Sequence, residues 1–171
     1  MLKHKPILVL DLDHTLFHTT APFESHLRPH YAEFLEKMQK SYVLVAFTMG
    51  SRAYGHDRCE KLGLTKWIPH SNIFGSEDTQ EDASGHKKKS FAYLSLCKDC
   101  QKHCVAVDDH PQWWLEPTFS WHHNPETKKF KGKGYVLKIC PFVFDRNSPE
   151  KNDTCLLGLG QLLEANVGLV A

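Results

Sequence analysis

Four consecutive aliphatic residues, Ile7-Leu8-Val9-Leu10, run without polar alternation into Asp11-Leu12-Asp13. A short apolar run of this kind suits a strand covered on both faces, as in a parallel sheet flanked by helices. In open α/β sheets ligands bind beyond the carboxyl ends of the strands, where the connecting loops open into a crevice. Asp11 and Asp13 therefore stand at a ligand-binding edge. Two carboxylates this close repel each other and resist desolvation unless a cation joins them, and Mg²⁺ is the natural partner for hard carboxylate oxygens. A D-x-D turn is also the end of many ordinary strands, so its meaning depends on what recurs further along the chain.

The transition does recur. Tyr42-Val43-Leu44-Val45-Ala46-Phe47 predicts a second buried strand, and it too stops at polar residues, Thr48-Met49-Gly50-Ser51-Arg52. A helix from about Ser51 to Leu62 follows, with Gly63 as its C-terminal cap. A threonine hydroxyl and free backbone N–H groups at such a turn serve either as a cradle for phosphate oxygens or as a plain helix cap. Val105-Ala106-Val107 then ends at Asp108-Asp109. Acids, a hydroxyl and acids again at the ends of three apolar runs imply one shared site on the carboxyl edge of one sheet. Lys87-Lys88-Lys89 has the look of a solvated face, but one of these lysines directed into the crevice would sit beside a phosphate.

The remaining stretches are read as connections and cover. His14 to Leu27 is irregular, and Arg28-Pro29 opens a helix with Tyr31, Phe34, Leu35 and Met38 on one face. Arg28 reaches either an anionic ligand or a neighbouring carboxylate. Trp67 to Phe74 reads as a third, weaker strand or an extended segment, and the acidic run Ser76 to Asp82 as a solvated loop. His110 to Gly134 reads as a long loop or hairpin with Trp113, Trp114 and Trp121 packed on the domain and a basic stretch, Lys128 to Lys133. Tyr135 to Phe144 is a last β-like run. Asn152 or Asp153 caps a terminal helix carrying Leu156, Leu157, Leu159, Leu162 and Leu163.

Composition narrows the classes. A chain of 171 residues is expected to form one domain over residues 1–171. Its 21 basic and 20 acidic residues create no global field favouring nucleic acid or a membrane surface, and neither is expected as a partner. Six unevenly spaced cysteines do not make a disulfide framework and are expected as free thiols in an intracellular setting, nuclear or cytoplasmic. Cys97-x-x-Cys100 with His103 and Cys104 lacks a second ligand pair at zinc spacing, so these cysteines are expected to be packed and structural. No signal peptide or membrane span is expected.

Asp11-Leu12-Asp13-His14-Thr15-Leu16 resembles the first motif of the haloacid dehalogenase superfamily. Together with Arg28-Pro29, Thr48-Met49-Gly50-Ser51-Arg52-Ala53-Tyr54, Lys89-Ser90, Val107-Asp108-Asp109 with Trp114, and Lys138-Ile139-Cys140-Pro141-Phe142, it resembles the FCP/SCP group of phosphatases, and most closely their TFIIF-stimulated branch. These enzymes act on the C-terminal domain of RNA polymerase II. The resemblance implies a three-layer α/β sandwich with a central, mostly parallel sheet and no large cap domain. It also implies Asp11 as phosphate-accepting nucleophile and Asp13 as general acid and base. Thr48, Met49, Lys89 and Arg28 would bind the substrate phosphate, and Mg²⁺ would be held by Asp11, Asp13 through its backbone carbonyl, Asp108 and Asp109. Lys89 is preferred to Lys87 and Lys88 because Lys-Ser before an apolar residue matches the motif.

Two other classes stay in view: a phosphatase of small metabolites, and a non-catalytic binding module of the same fold. The stretch between Asp13 and Thr48 is too short for a cap, and residues 64–85 leave little room for another. An uncapped site gains transition-state binding only from a substrate large enough to touch its surroundings. A phosphorylated protein meets that need, with the tryptophans stacking on prolines and Lys128 to Lys133 attracting a second phosphate.

Overall fold

The structure, a computed structural model, describes residues 5–20, 24–94, 103–120, 134–144 and 153–170. In chain order it contains β1 (Ile7–Leu10), β2 (Phe17–Thr20), β3 (Glu24–Leu27), α1 (Tyr31–Ser41), β4 (Val43–Phe47) and α2 (Arg52–Lys61). There follow β5 (Ile73–Phe74), β6 (Gln80–Glu81), β7 (Lys87–Lys88), β8 (Cys104–Asp108), β9 (Thr118–Ser120), β10 (Tyr135–Lys138) and α3 (Cys155–Val170). The central sheet has the order β5-β4-β1-β8-β10-β9, and every pairing in it is parallel.

β1 lies in the middle and is buried at every position. Its side chains alternate between faces, as a pleated strand requires. Leu8 and Leu10 join a core with Phe34, Leu35 and Met38 of α1 and Leu156, Leu159 and Leu163 of α3. Ile7 and Val9 join a second core with Phe47, Phe91, Leu94 and Trp114. Each fully buried Leu or Phe contributes about 1.5–3 kcal/mol from removal of apolar surface from water. α1 and α3 are further tied by Tyr42, whose hydroxyl donates to Leu163 O at 3.0 Å.

The strand-to-polar transitions at β1, β4 and β8 are as expected, and other segments differ. His14 to Leu27 is not irregular: β2 and β3 pair as an antiparallel hairpin. Over Trp67 to Phe74 only Ile73–Phe74 joins the sheet, because 3₁₀ turns at Leu64–Lys66 and His70–Asn72 occupy the approach and Pro69 has no N–H for a ladder. The acidic run is docked rather than free. Glu77 accepts from the Arg52 N–H at the start of α2 at 2.8 Å, and Asp78 pairs with the Arg52 guanidinium and accepts from Gly75 N–H at 2.9 Å. Gly75 is required there, since a Cβ would stand 2.2 Å from the Arg52 backbone nitrogen.

Toward the C-terminus, β9 and β10 pair in parallel, so these two strands are not the arms of one hairpin. The last strand stops at Lys138, and the chain then folds over the β1 loop, where Phe142 N–H donates to His14 O at 2.6 Å. Asp153 accepts from Cys155 N–H at 2.9 Å and so caps α3. Asn152, Trp121, Lys128 to Lys133, Cys97 and Cys100 lie outside the described residues. Cys104 is buried at the start of β8, as a packed structural thiol should be. Among the described residues no helix is long and apolar enough to cross a membrane.

Candidate active site

β1, β4 and β8 all end at one cleft of about 300 Å³. It is lined by Asp11, Asp13, Thr48, Met49, Lys89, Asp108 and Asp109, that is, by every residue expected at the site except Arg28. His14, Gly50, His110, Gln112 and Trp113 complete its wall.

Lys89 sits at the centre. It follows β7, is 1% exposed, and its Nζ donates to Asp11 Oδ1 at 2.6 Å and to Asp108 Oδ2 at 2.8 Å. The lysine run thus divides, with Lys87 exposed, Lys88 reaching Gln112 O at 2.6 Å and Lys89 alone entering the crevice. Burial works against the Lys89 charge, but Asp11 and Asp108 outweigh it and raise its pKa above the usual range. Burial and the adjacent Asp108 push Asp11 well above the ordinary carboxylate range, against the pull of Lys89. Asp108 is held on several sides: Oδ1 accepts from His110 N–H at 2.7 Å, and Oδ2 also accepts from Trp114 Nε1 at 2.7 Å. Trp114 is therefore a buried support for the acid pair.

Asp13 is half-buried on the opposite side of the cleft. Tyr54, from the first turn of α2, donates its hydroxyl to Asp13 Oδ1 at 2.5 Å, and Thr48 donates to Oδ2 at a longer 3.4 Å. Burial and the Asp13 carboxylate both raise the Tyr54 pKa, which keeps the phenol protonated as the donor. Ser51 caps α2 by accepting from Tyr54 N–H at 3.1 Å, and this fixes where the ring begins. Tyr54 had no assigned role from sequence, although it stands in the Thr48-to-Tyr54 motif; its position one turn into the helix after β4 is the signal that could have found it.

Arg28 resolves to the carboxylate alternative. Its Nε donates to Asp153 Oδ2 at 2.8 Å, NH1 to Thr15 O at 3.1 Å and NH2 to Cys140 O at 2.9 Å, with the side chain 1% exposed. It clamps the loop after Asp13 to the chain's last third and does not line the cleft.

Carboxylate oxygens of Asp11, Asp108 and Asp109 lie within 4.8 Å of one another, and all three residues are buried. With Asp13 added, four carboxylates line the cleft against the single charge of Lys89. His110 Nδ1 lies 2.5 Å from Asp109 Oδ2, yet burial still raises the Asp109 pKa. An all-oxygen donor set with excess negative charge fits a hard divalent cation. Soft or thiophilic metals have no sulfur ligand in this cluster.

An all-parallel sheet with acids and a lysine converging on its carboxyl edge, and among the described residues two small hairpins, α1, α2 and short 3₁₀ turns in its connections, is the haloacid dehalogenase-like hydrolase fold. A solved fission-yeast RNA polymerase II CTD phosphatase superposes with a TM-score of 0.58 at 19% identity, over 95% of this chain and 50% of that one. The chain belongs to the NLI interacting factor-like phosphatase family, whose model matches residues 6–169. It is 30% identical to the human RNA polymerase II C-terminal domain phosphatase over 66% of this chain, spanning 14% of that protein. It is 29% identical to the zebrafish (Danio rerio) CTD nuclear envelope phosphatase 1B over 71% of this chain and 61% of that protein.

Proposed function

We propose that this chain is a Mg²⁺-dependent phosphoserine/phosphothreonine protein phosphatase that forms an aspartyl-phosphate on Asp11, acting on phosphopeptides like those of the RNA polymerase II C-terminal domain. The observation that carries the reading is the pair of unlike aspartates: Asp11 beside Lys89 in the acid cluster, and Asp13 apart from it under Tyr54. In this reading Asp11 attacks and Asp13 moves a proton.

In the first step an Asp11 oxygen forms a bond to phosphorus in line with the departing serine or threonine oxygen, and that P–O bond breaks. Asp13, held by Tyr54 and Thr48, protonates the departing oxygen. In the second step Asp13 takes a proton from water, which attacks phosphorus and frees Asp11 and inorganic phosphate. Lys89, Thr48 and the turn at Met49 bind the oxygens on which negative charge is spread. Asp11, Asp108, Asp109 and the Asp13 carbonyl would hold Mg²⁺, which supplies charge neutralisation for those oxygens when bound.

A protein substrate is supported by the open cleft and by its rim. Trp113 is 37% exposed there, with Lys88 Nζ 5.9 Å from its ring centroid. It offers a flat face to a proline, whereas Trp114 is 5% exposed and committed to Asp108, so it is not free for stacking. A phosphorylated serine-proline peptide should therefore show a much higher kcat/KM than free phosphoserine; equal rates would favour a phosphatase of small metabolites. Chelation should stop turnover, and adding Mg²⁺ at about 100 times its Kd should stabilise the fold by roughly 2.7 kcal/mol, read as a rise in Tm. A Tm indifferent to Mg²⁺ would refute the metal site.

Tyr54→Phe tests the proton path. Loss of its bond to Asp13 should lower kcat about tenfold for phosphoserine, whose alkoxide needs protonation, and much less for an aryl phosphate with a good leaving group. An equal loss for both would make Tyr54 a structural residue only.

A further inference from the structure

Arg58, on α2, is half-buried and has no carboxylate partner among the described residues. Within that set the other arginines each hold an aspartate, Arg28 with Asp153 and Arg52 with Asp78. Arg58 instead meets neutral groups. Its NH1 donates to Ser25 Oγ at 3.3 Å, its guanidinium carbon lies 5.3 Å from the Tyr54 ring centroid, and its enclosed Nε has no acceptor. A partly desolvated cation with unused donors is costly unless an anion joins it.

The surroundings are built of hydroxyls from the β2–β3 hairpin. Thr19 and Ser25 are a cross-strand pair, with Thr19 Oγ1 2.9 Å from Ser25 Oγ. The Tyr54 ring beneath the guanidinium has its own hydroxyl committed to Asp13. The unpaired guanidinium is thus separated from the proton-transferring acid by one aromatic ring.

We propose that Arg58 with Ser25 and Thr19 forms a subsite for a second phosphate carried by the same peptide substrate, a specificity element that rests on the protein-phosphatase reading. A phosphate monoester offers several acceptor oxygens to a planar guanidinium and two hydroxyls at once, which a single carboxylate matches less fully. An extended peptide advances about 3.3 Å per residue, so a ring's separation places the second phosphate two or three residues from the one being removed.

The test uses the full chain with Mg²⁺ and three peptides: one phosphoserine, the same with a second phosphoserine two or three residues away, and the same with glutamate there. The doubly phosphorylated peptide should show a kcat/KM about tenfold higher, mainly through KM. Arg58→Gln should remove that advantage while turning over the singly phosphorylated peptide at the wild-type rate, which also reports that the variant is folded. Ser25→Ala should lose part of the advantage. Equal wild-type rates for the two phosphopeptides, or an Arg58→Gln loss shared by both, overturns the subsite and leaves the phosphatase reading standing. A glutamate peptide as good as the doubly phosphorylated one overturns the selectivity for phosphate. Hydrolysis of free phosphate esters but of no peptide ends the protein-phosphatase reading and the subsite with it.

Discussion

Asp11→Asn is expected to abolish turnover without unfolding the protein. Asparagine keeps the shape of the side chain but cannot serve as the anionic nucleophile, and removal of a nucleophile costs enzymes on the order of 10⁴-fold or more in kcat. The effect on stability should run the other way. Asp11 is buried beside Asp108, and those two influences raise its pKa above the ordinary range. A neutral amide relieves that repulsion, while Lys89 keeps its bond to Asp108 at 2.8 Å. Metal-free Asp11→Asn should therefore melt at the wild-type temperature or higher, and phosphate release should fall to background. Substantial retained activity would remove Asp11 from the nucleophile's role, and a large drop in Tm would mean that the lost activity reports unfolding.

Lys89→Met should be the most destabilising single change at the site. The ammonium is the one lysine charge between Asp11 and Asp108, at 2.6 and 2.8 Å, and its removal leaves two buried acids facing each other. Breaking a buried ion pair by deleting one partner typically costs about 3–5 kcal/mol. For a chain of this size each kcal/mol shifts Tm by roughly 2–4 °C. Uptake of a proton by Asp11 will offset part of the loss. Adding Asp108→Asn to Lys89→Met should recover much of the stability, because the two residues act on one cluster and their effects cannot add. Neither variant should recover activity, since the phosphoryl oxygens have lost their cation. Additive losses in the double variant, measured by denaturant unfolding, would show that the pair is not coupled.

β1, β4 and β8 were legible because a parallel strand buried on both faces must be continuously apolar, so an abrupt aspartate or threonine marks its carboxyl end at the cleft. The acid pair at 11 and 13, Thr48, and Asp108-Asp109 followed directly from those ends. α1 was legible from its periodicity. The hairpin of β2 and β3 was not, because its two faces carry the polar pairs His18 with His26 and Thr19 with Ser25 and show no apolar alternation.

Other features depend on residues brought together from afar. Arg28 is settled by Asp153 and Cys140, which follow it by 125 and 112 residues, and no local pattern distinguishes a clamp from a phosphate ligand. Tyr54 meets Asp13 across 41 residues, and Lys89 is singled out from its two neighbours only because the chain turns inward there after β7. The sequence by itself determined the sheet, its carboxyl edge and the acids along it, since hydrophobic burial is written in local runs. Only the tertiary structure decided which cations serve the site, which brace it, and which one, Arg58, is left without a counter-charge among the described residues, because pairing depends on distance in space and not on spacing along the chain.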